Sequence, residues 1–224
     1  MPSFHDFRFL STDGKHNVFA RECTPDGEVR AVLQIAHGVA EHIYRYAPFM
    51  EFLAENGFVV VANDHLGHGK TAENEQELCF FAEKDGWNDV VSDMDTLHKL
   101  TAAKYPGVPY FLFGHSMGSF LTRTYIIDHP EGLKGVVISG TGQNPGAVVA
   151  AGKLMAKLEM IDNGPMYHSP TLDKLAFGSY NKKYDHVRTK LDWLTRDEAV
   201  VDAYIADPLC GAMATAGMFH DMMG

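Results

Sequence analysis

The chain has 224 residues, 46% of them hydrophobic and 21% charged, and its 19 Lys and Arg against 29 Asp and Glu give a formal net charge of −10. This composition is typical of a globular protein and excludes a disordered or fibrous one. The acidic balance disfavours nucleic-acid binding and electrostatic adsorption to anionic membranes, because both need clustered cations. A neutral or apolar substrate fits the chain better.

Cysteine usage and the N-terminus bear on the compartment. Cys23, Cys79 and Cys210 are too few and too scattered for a disulfide framework or a zinc site, so we interpret them as reduced thiols. The first ten residues lack the apolar core of a signal peptide, and no apolar run approaches the roughly 18 residues of a membrane span. We therefore expect a cytoplasmic protein with no membrane span, no metal ion and no cofactor.

Strand-like and helix-like stretches alternate through the first 140 residues. The run FVVVA at 58–62 is apolar on successive residues, which indicates a strand buried on both faces. The predicted strands are 7–10, 18–21, 31–36, 58–62, 110–113 and 134–139, and the predicted helices are 46–56, 89–103 and 119–128. The residues expected on the buried side of the second helix are Val90, Val91, Met94, Leu97 and Leu100. This alternation predicts an α/β fold with a doubly wound, mostly parallel sheet.

The pattern changes after residue 141. Gly142, Pro145 and Gly146 interrupt the chain, and the segment that follows is rich in Met, Ala, Tyr and Asp, with helical character and no convincing strand. We interpret residues 1–141 as the core that contains the sheet. Residues 142–224 are interpreted as a helical cap or lid that lies over it.

The strongest motif is GHSMG at 114–118, a G-x-S-x-G pentapeptide between an apolar strand and a helix. This is the context of a nucleophile elbow, in which small residues at both ends let the chain turn sharply and expose the serine. The N-terminal amides of the following helix favour a developing anion at the same place. We predict that Ser116 is a nucleophile, and the alternative is an ordinary glycine-rich turn.

A second motif, HGVAEH at 37–42, follows the third strand. In enzymes with a nucleophile elbow, the oxyanion is held by the amide of the residue after the nucleophile and by an amide of this loop. The backbone amides of Met117 and Val39 are therefore predicted to hold the oxyanion. His37 and Gly38 belong to the same oxyanion loop.

Several polar side chains near these motifs are interpreted as structural. His37 and His42 are expected to shape the loop and to bond to backbone groups, and Glu41 with Arg45 is read as an ion pair at a helix start. A third motif, DHLGHG at 64–69, suggests a metal pair through its two histidines, but no third or fourth ligand stands nearby. A tight glycine loop at the carboxyl edge of the sheet is the better account of that motif.

The motifs HGVAEH at 37–42, DHLGHGKT at 64–71 and GHSMGSF at 114–120 together resemble the monoacylglycerol lipase and lysophospholipase branch of the α/β-hydrolase superfamily, of the S33 serine aminopeptidase type. The stretches DWLTRD at 192–197 and DPLCG at 207–211 resemble the second half of that family's helical cap. The resemblance implies an α/β-hydrolase fold whose cap covers the serine and forms an apolar entrance for an acyl chain. The residues that could line this entrance, or could equally form the cap's own packing face, are Leu154, Met155, Leu158 and Met160.

The family's chain order is Ser, then Asp, then His. The sequence shows no later strand, acid turn or terminal histidine loop, so the resemblance implies that the last strands and the triad Asp and His are missing. We expect a truncated or nicked form of a longer hydrolase, or a partner chain that supplies the remainder. His115 is expected to point away from the Ser116 hydroxyl, and nothing supports His220 and Asp221 as base and acid.

These features predict a serine hydrolase that cleaves carboxylic esters of lipids through an acyl-enzyme on Ser116. Monoacylglycerol and lysophospholipid substrates, and transient contact of the cap with a lipid surface, are implied by the resemblance alone. Two alternatives stay open. One is an aminopeptidase or other hydrolase on the same scaffold, and the other is a catalytically incomplete relative that binds a ligand.

Overall fold

The computed structural model describes residues 1–223, and within them one sheet of six strands organises the fold. The strands are β1 (Ser3–Leu10), β2 (Asn17–Thr24), β3 (Ala31–Ala36), β4 (Phe58–Asn63), β5 (Tyr110–His115) and β6 (Leu133–Ser139). They lie in the order β1-β2-β4-β3-β5-β6. β2 is antiparallel to β1 and β4, whereas β4, β3, β5 and β6 run parallel. The prediction of an α/β fold with a mostly parallel sheet is confirmed.

Helices cover both faces of the sheet. They are α1 (Ala47–Glu55), α2 (Gly86–Lys104), α3 (Met117–Asp128), α4 (Gly146–Asn163), α5 (Pro170–Phe177), α6 (Glu198–Ala206) and α7 (Ala216–Met222). Leu33 and Ile35 of β3 cluster with Met50 of α1, whereas Val32 clusters with Leu97 of α2. Because successive strand residues point to opposite faces, α1 and α2 lie on opposite sides of a doubly wound sheet.

The boundaries of several elements differ from the predicted ones. β1 and β2 extend further because an antiparallel ladder pairs them from Ser3 with Thr24 to Leu10 with Asn17, through polar residues that the apolar pattern ignores. A single helix was predicted over 46–56, but a 3₁₀ turn at Ile43–Tyr46 precedes α1.

The predicted buried side of α2 contains one error. Val90, Val91, Met94 and Leu97 are buried, but Leu100 is 49% exposed. Thr101 is buried in its place, because it continues the spacing of four, three and four residues that begins at Val90.

β6 forms one edge of the sheet and pairs only with β5 among residues 1–223. Its apolar side chains are partly uncovered, with Val136 and Ile138 each 36% exposed and Val137 51% exposed. A strand edge with unpaired backbone groups and apolar side chains is a template for pairing with another strand.

The segment after β6 is helical, and between residue 140 and residue 223 the only β-pairing is an isolated bridge between His168 and Thr215. Met218 and Phe219 of α7 join the apolar cluster that α2 and α3 form. The proposed boundary between residues 141 and 142 stays a prediction. Within the described chain, no helix combines the length and the apolar character needed to cross a bilayer.

Candidate active site

Ser116 lies on the turn between β5 and α3 in a backbone conformation that is rare for a residue with a side chain. Its φ is 53° and its ψ is −119°. The turn is held by hydrogen bonds from the Ser116 N–H to the Ser139 carbonyl (2.9 Å) and from the Ser119 N–H to the Ser116 carbonyl (2.9 Å). Such strain costs about 1–3 kcal/mol and persists only where the surroundings enforce it.

The two glycines of the motif let α3 pack closely against the sheet. A Cβ atom on Gly118 would lie 2.0 Å from the carbonyl oxygen of Ala36 at the end of β3. A Cβ on Gly114 would lie 2.2 Å from Thr122 Oγ1 and 2.3 Å from the Gly118 carbonyl oxygen. The helix that carries the first amides after Ser116 is thereby fixed against the start of the 37–42 loop.

The oxyanion loop reaches the side of Ser116. A Cβ on Gly38 would lie 3.2 Å from the Ser116 Cβ, so the backbone of this loop borders the serine. The Gly38 N–H donates to Glu41 Oε1 at 2.6 Å and is therefore engaged. The Val39 N–H donates to no group within residues 1–223, and the Met117 N–H, as the first of α3, has no acceptor within its helix. Neither amide is therefore engaged by another group of the described chain.

Glu41 holds the oxyanion loop from within, which the interpretation as a simple helix-start pair missed. Its ion pair with Arg45 exists, but its side chain is buried and also accepts hydrogen bonds from the Gly38 N–H and from the Tyr46 hydroxyl (2.8 Å). A buried carboxylate needs this many partners to offset its desolvation. In return, its oxygens fix the peptide of Gly38 beside Ser116.

His37 bonds only to backbone groups. Its Nε2 accepts from the His65 N–H at 3.0 Å, so Nδ1 carries the proton and donates to the Gly38 carbonyl at 2.7 Å. Complete burial lowers the pKa of His37 to about 3, which keeps the ring neutral. His42 differs from the expectation of backbone bonding, because its Nε2 pairs with Asp207 Oδ2 at 2.8 Å.

The loop at 64–69 lies against the oxyanion loop and is hydrogen-bonded to it. The buried Asp64 carboxylate accepts hydrogen bonds from the Ile43 N–H (2.9 Å) and the Lys70 N–H (2.7 Å), and so ties the two loops together. Burial raises the pKa of Asp64. Gly67 and Gly69 have positive φ, as a tight glycine loop requires. The side chain of His65 has no hydrogen-bond partner at either ring nitrogen among the described residues.

The cap is hydrogen-bonded to the oxyanion loop at the carbonyl of Ala40. This oxygen accepts from the Tyr204 hydroxyl at 2.6 Å and from the Gly211 N–H at 2.9 Å. Ala40 itself has a φ of 54°, a left-handed conformation that an alanine adopts only under constraint. These two donors fix the peptide between Ala40 and Glu41, one residue beyond Val39.

We expect Tyr204→Phe to lower the free energy of unfolding by about 1 kcal/mol, because a buried hydrogen bond is lost while Ala40 keeps the Gly211 donor. Urea denaturation followed by circular dichroism measures this change. Tyr180→Phe is the matched control, since Tyr180 is 43% exposed, and it should leave stability unchanged. Equal losses in the two variants would show that the Ala40 contact contributes nothing.

No histidine within residues 1–223 is hydrogen-bonded to the Ser116 hydroxyl. The ring of His115 faces Ser139, with Nδ1 3.4 Å from its Oγ. His220 lies on α7, and its Nδ1 is 3.7 Å from Asp221 Oδ1. The described residues therefore bring together the serine, the elbow and the oxyanion loop, without a base in contact with the serine.

Sequence reasoning missed three residues that hold the loop. The role of Asp64 could have been predicted from the sequence, since a short carboxylate among glycines commonly accepts hydrogen bonds from backbone N–H groups. No sequence pattern indicates the roles of Tyr204 and Asp207. Their partners in the oxyanion loop, Ala40 and His42, lie 164 and 165 residues earlier in the chain.

The chain is similar to known hydrolases over most of its length. The family model described as "Serine aminopeptidase, S33" matches residues 27–224. A monoacylglycerol lipase of Mycolicibacterium smegmatis is 31% identical over 191 residues, which are 83% of this chain and 58% of the relative. A monoglyceride lipase of Mus musculus is 29% identical over 202 residues, 89% of this chain and 58% of the relative. The chain thus aligns with little more than half the length of these two relatives.

Among solved structures, a thermostable carboxyl esterase from Bacillus coagulans in complex with glycerol superposes with a TM-score of 0.87 at 30% identity. The match covers 99% of this chain and 72% of the esterase. The family model, the two sequence relatives and the solved esterase structure each match most of the chain. The protein belongs to the S33 serine aminopeptidase family of α/β-hydrolases.

Proposed function

We propose that this protein is a serine hydrolase of carboxylic esters and that Ser116 is its nucleophile. The observation that supports this most directly is the strained backbone of Ser116, with φ 53° and ψ −119°, at the point where the oxyanion loop borders it. Strain of this kind is kept at functional sites, where it exposes a reactive side chain.

In the proposed mechanism, Ser116 Oγ attacks the ester carbonyl carbon and gives its proton to a general base. The oxyanion that forms accepts hydrogen bonds from the amides of Val39 and Met117, and each such donor contributes about 10²–10³ in rate. The alcohol leaves with a proton from the base. Water then attacks the acyl-enzyme, releases the carboxylic acid and restores the serine.

For the substrate we propose lipid esters with a single acyl chain, of the monoacylglycerol or lysophospholipid type. The named lipase relatives support this choice. So do Leu154, Leu158 and Ile161 of α4, which are 59%, 54% and 70% exposed and recur at a spacing of four and three residues on one helix face. An exposed apolar face suits an acyl chain or a lipid surface. Met160, in contrast, packs against the apolar cluster beneath the helix.

An aminopeptidase is the second candidate, because the matching family model carries that description. The two candidates differ in the bond that they cleave. Turnover of acyl esters without turnover of aminoacyl amides would favour the esterase, and the reverse would favour the peptidase.

The proposal is tested by a fluorophosphonate probe that labels activated serines, read out by intact mass. If the chain activates Ser116, it takes up one label, which is lost in Ser116→Ala and retained in Ser3→Ala, a change of a serine on the exposed edge strand β1. Because a serine without its base reacts about six orders of magnitude more slowly in a comparable enzyme, labelling reports the base as well as the nucleophile.

The labelling result also bears on the expected missing segment or partner chain, which stays a prediction. Labelling at Ser116 would mean that the 224 residues activate the serine by themselves. A folded chain that takes up no label would contradict catalysis by this chain alone and would favour the catalytically incomplete, ligand-binding alternative.

A further inference from the structure

Three side chains with metal-binding chemistry meet where the cap touches the oxyanion loop. His42 ends that loop, and Asp207 and Cys210 lie in the turn that follows α6. One ligand atom from each lies within 4.8 Å of the other two. His42 is buried, whereas Asp207 and Cys210 are half-buried and accessible. We propose that His42, Asp207 and Cys210 form a binding site for a zinc-like divalent cation.

The backbone holds these side chains together independently of any ion. The Leu209 N–H donates to Asp207 Oδ1 at 2.9 Å and the Cys210 N–H to the Asp207 carbonyl at 3.0 Å, which fixes the turn. The Gly211 N–H then donates to Ala40 at 2.9 Å and attaches the turn to the loop of His42. Asp207 Oδ2 is thereby left facing His42 Nε2, and the donor set is preorganised.

The donor set matches a borderline-soft cation. Zinc binds imidazole nitrogen and carboxylate oxygen at about 2.0–2.2 Å and thiolate sulfur at about 2.3 Å, so tetrahedral ligand atoms lie about 3.5 Å apart. The His42 Nε2 and Asp207 Oδ2 atoms, now 2.8 Å apart, would have to separate, and the Cys210 Sγ, within 4.8 Å of both, would have to approach them. Water from the accessible side completes a fourth position.

Charge and protons balance in the bound state. Binding releases the thiol proton to solvent and moves the imidazole proton from Nε2 to Nδ1, so both ligand atoms offer a lone pair. One carboxylate and one thiolate neutralise the two positive charges of the ion.

The ion would join the cap to the oxyanion loop, in addition to the bonds at Ala40. The site therefore lies outside the nucleophile and the two oxyanion amides but acts on the same loop. Its existence does not depend on the proposed esterase activity, and it can be measured without a substrate.

The test is titration of the purified chain with Cd²⁺, whose bond to a thiolate gives an ultraviolet charge-transfer band, followed by Zn²⁺ in competition with a chromophoric chelator. We expect one Cd²⁺ per chain with the band, and displacement of the band by Zn²⁺. Cys210→Ser should abolish the band, and Asp207→Asn, which keeps the acceptor for Leu209, should weaken binding at least tenfold. Cys23→Ser, which removes a buried thiol of β2, should bind as the wild type does.

Two outcomes would overturn the proposal. One is a band that survives in Cys210→Ser, which would assign the thiolate elsewhere. The other is the absence of a Cd²⁺ band in the folded wild type at micromolar concentrations. Circular dichroism of each variant shows whether it is folded, and so distinguishes loss of the metal site from loss of the fold. If Cys210→Ser does not fold, the expected weaker binding by Asp207→Asn tests the proposal instead.

Discussion

Gly118→Ala is expected to lower the free energy of unfolding by at least about 2 kcal/mol and to remove any labelling of Ser116. In an ordinary helix, this substitution stabilises by about 1 kcal/mol, because alanine is the better helix former. Here the new Cβ would lie 2.0 Å from the Ala36 carbonyl oxygen and 2.5 Å from its carbonyl carbon. Ala36 ends a buried strand that is paired on both sides, so it is α3 that must move.

The size of that movement decides the sign of the effect. Overpacking against a rigid core costs about 1–3 kcal/mol and occasionally more, which exceeds the gain in helix propensity. We expect a loss of at least 2 kcal/mol in the free energy of unfolding by urea denaturation, since backbone lies on the other side of the contact. The displaced helix also carries the Met117 amide away from Ser116.

Gly142→Ala is the control for Gly118→Ala. Nothing lies within 4 Å of the Cβ position at Gly142, and its backbone is not left-handed, so stability should change by about 0.5 kcal/mol or less. If Gly118→Ala were as stable as Gly142→Ala, the close approach of α3 to β3 would be refuted, and with it our account of why the motif needs a glycine there.

Local patterns predict local structure, and the elbow illustrates how far this extends. The strand, the turn and the helix around Ser116 are adjacent in the sequence, and the apolar run followed by small residues specifies them together. The fold class is likewise accessible, because apolar runs separated by helical segments indicate a doubly wound, mostly parallel sheet. Leu100 was misplaced because it follows Leu97 at a spacing of three residues that also fits a helix, whereas the buried face continues to Thr101, four residues after Leu97.

The contacts that aim the oxyanion loop are not local, and the sequence contains no pattern for them. Tyr204 reaches Ala40 and Asp207 reaches His42 only because α6 folds back over the loop. The buried role of Glu41 is hidden for a different reason. A Glu four residues before an Arg is typical of a solvated helix pair, and only the packing of Tyr46 and Gly38 around it shows that it is an internal acceptor.

The second large effect is loss of stability in mild acid, caused by three buried histidines beneath the oxyanion loop. The rings of His37 and His65 lie 4.2 Å apart between centroids, and those of His37 and His68 lie 5.2 Å apart. Burial lowers the pKa of His37 and of His68 to about 3 and holds the pKa of His65 well below its usual value. All three rings are neutral in the folded protein.

The direction of the effect follows from proton binding. Above pH 6.5, the ordinary histidine pKa, both states are neutral and the free energy of unfolding does not depend on these rings. Below pH 6.5, these histidines bind protons in the unfolded chain. In the folded chain, His37 and His68 stay unprotonated until about pH 3. Each histidine therefore lowers the free energy of unfolding by about 1.4 kcal/mol per pH unit in that window.

The buried carboxyl groups of Asp93 and Asp64 act in the opposite direction over part of the same window. Burial raises the pKa of Asp93 to about 6 and also raises the pKa of Asp64. Below these values, the folded chain holds protons that the unfolded chain releases down to about pH 4, which offsets part of the loss. The carboxyl groups act only between about pH 6 and pH 4, whereas the histidines act from pH 6.5 down to about 3, which leaves a net loss of stability as the pH falls.

His65→Leu isolates the histidine contribution, because both ring nitrogens are buried without partners among the described residues. We expect the variant to be more stable than the wild type by about 1 kcal/mol at pH 7, since an unsatisfied polar group is removed. Its free energy of unfolding should also fall less steeply below pH 6.5, by about 1.4 kcal/mol per pH unit, in urea titrations at a series of pH values. His5→Leu, on an exposed position of β1, should keep the wild-type pH dependence. A His65→Leu curve parallel to that of the wild type would contradict the burial of a neutral ring at this position.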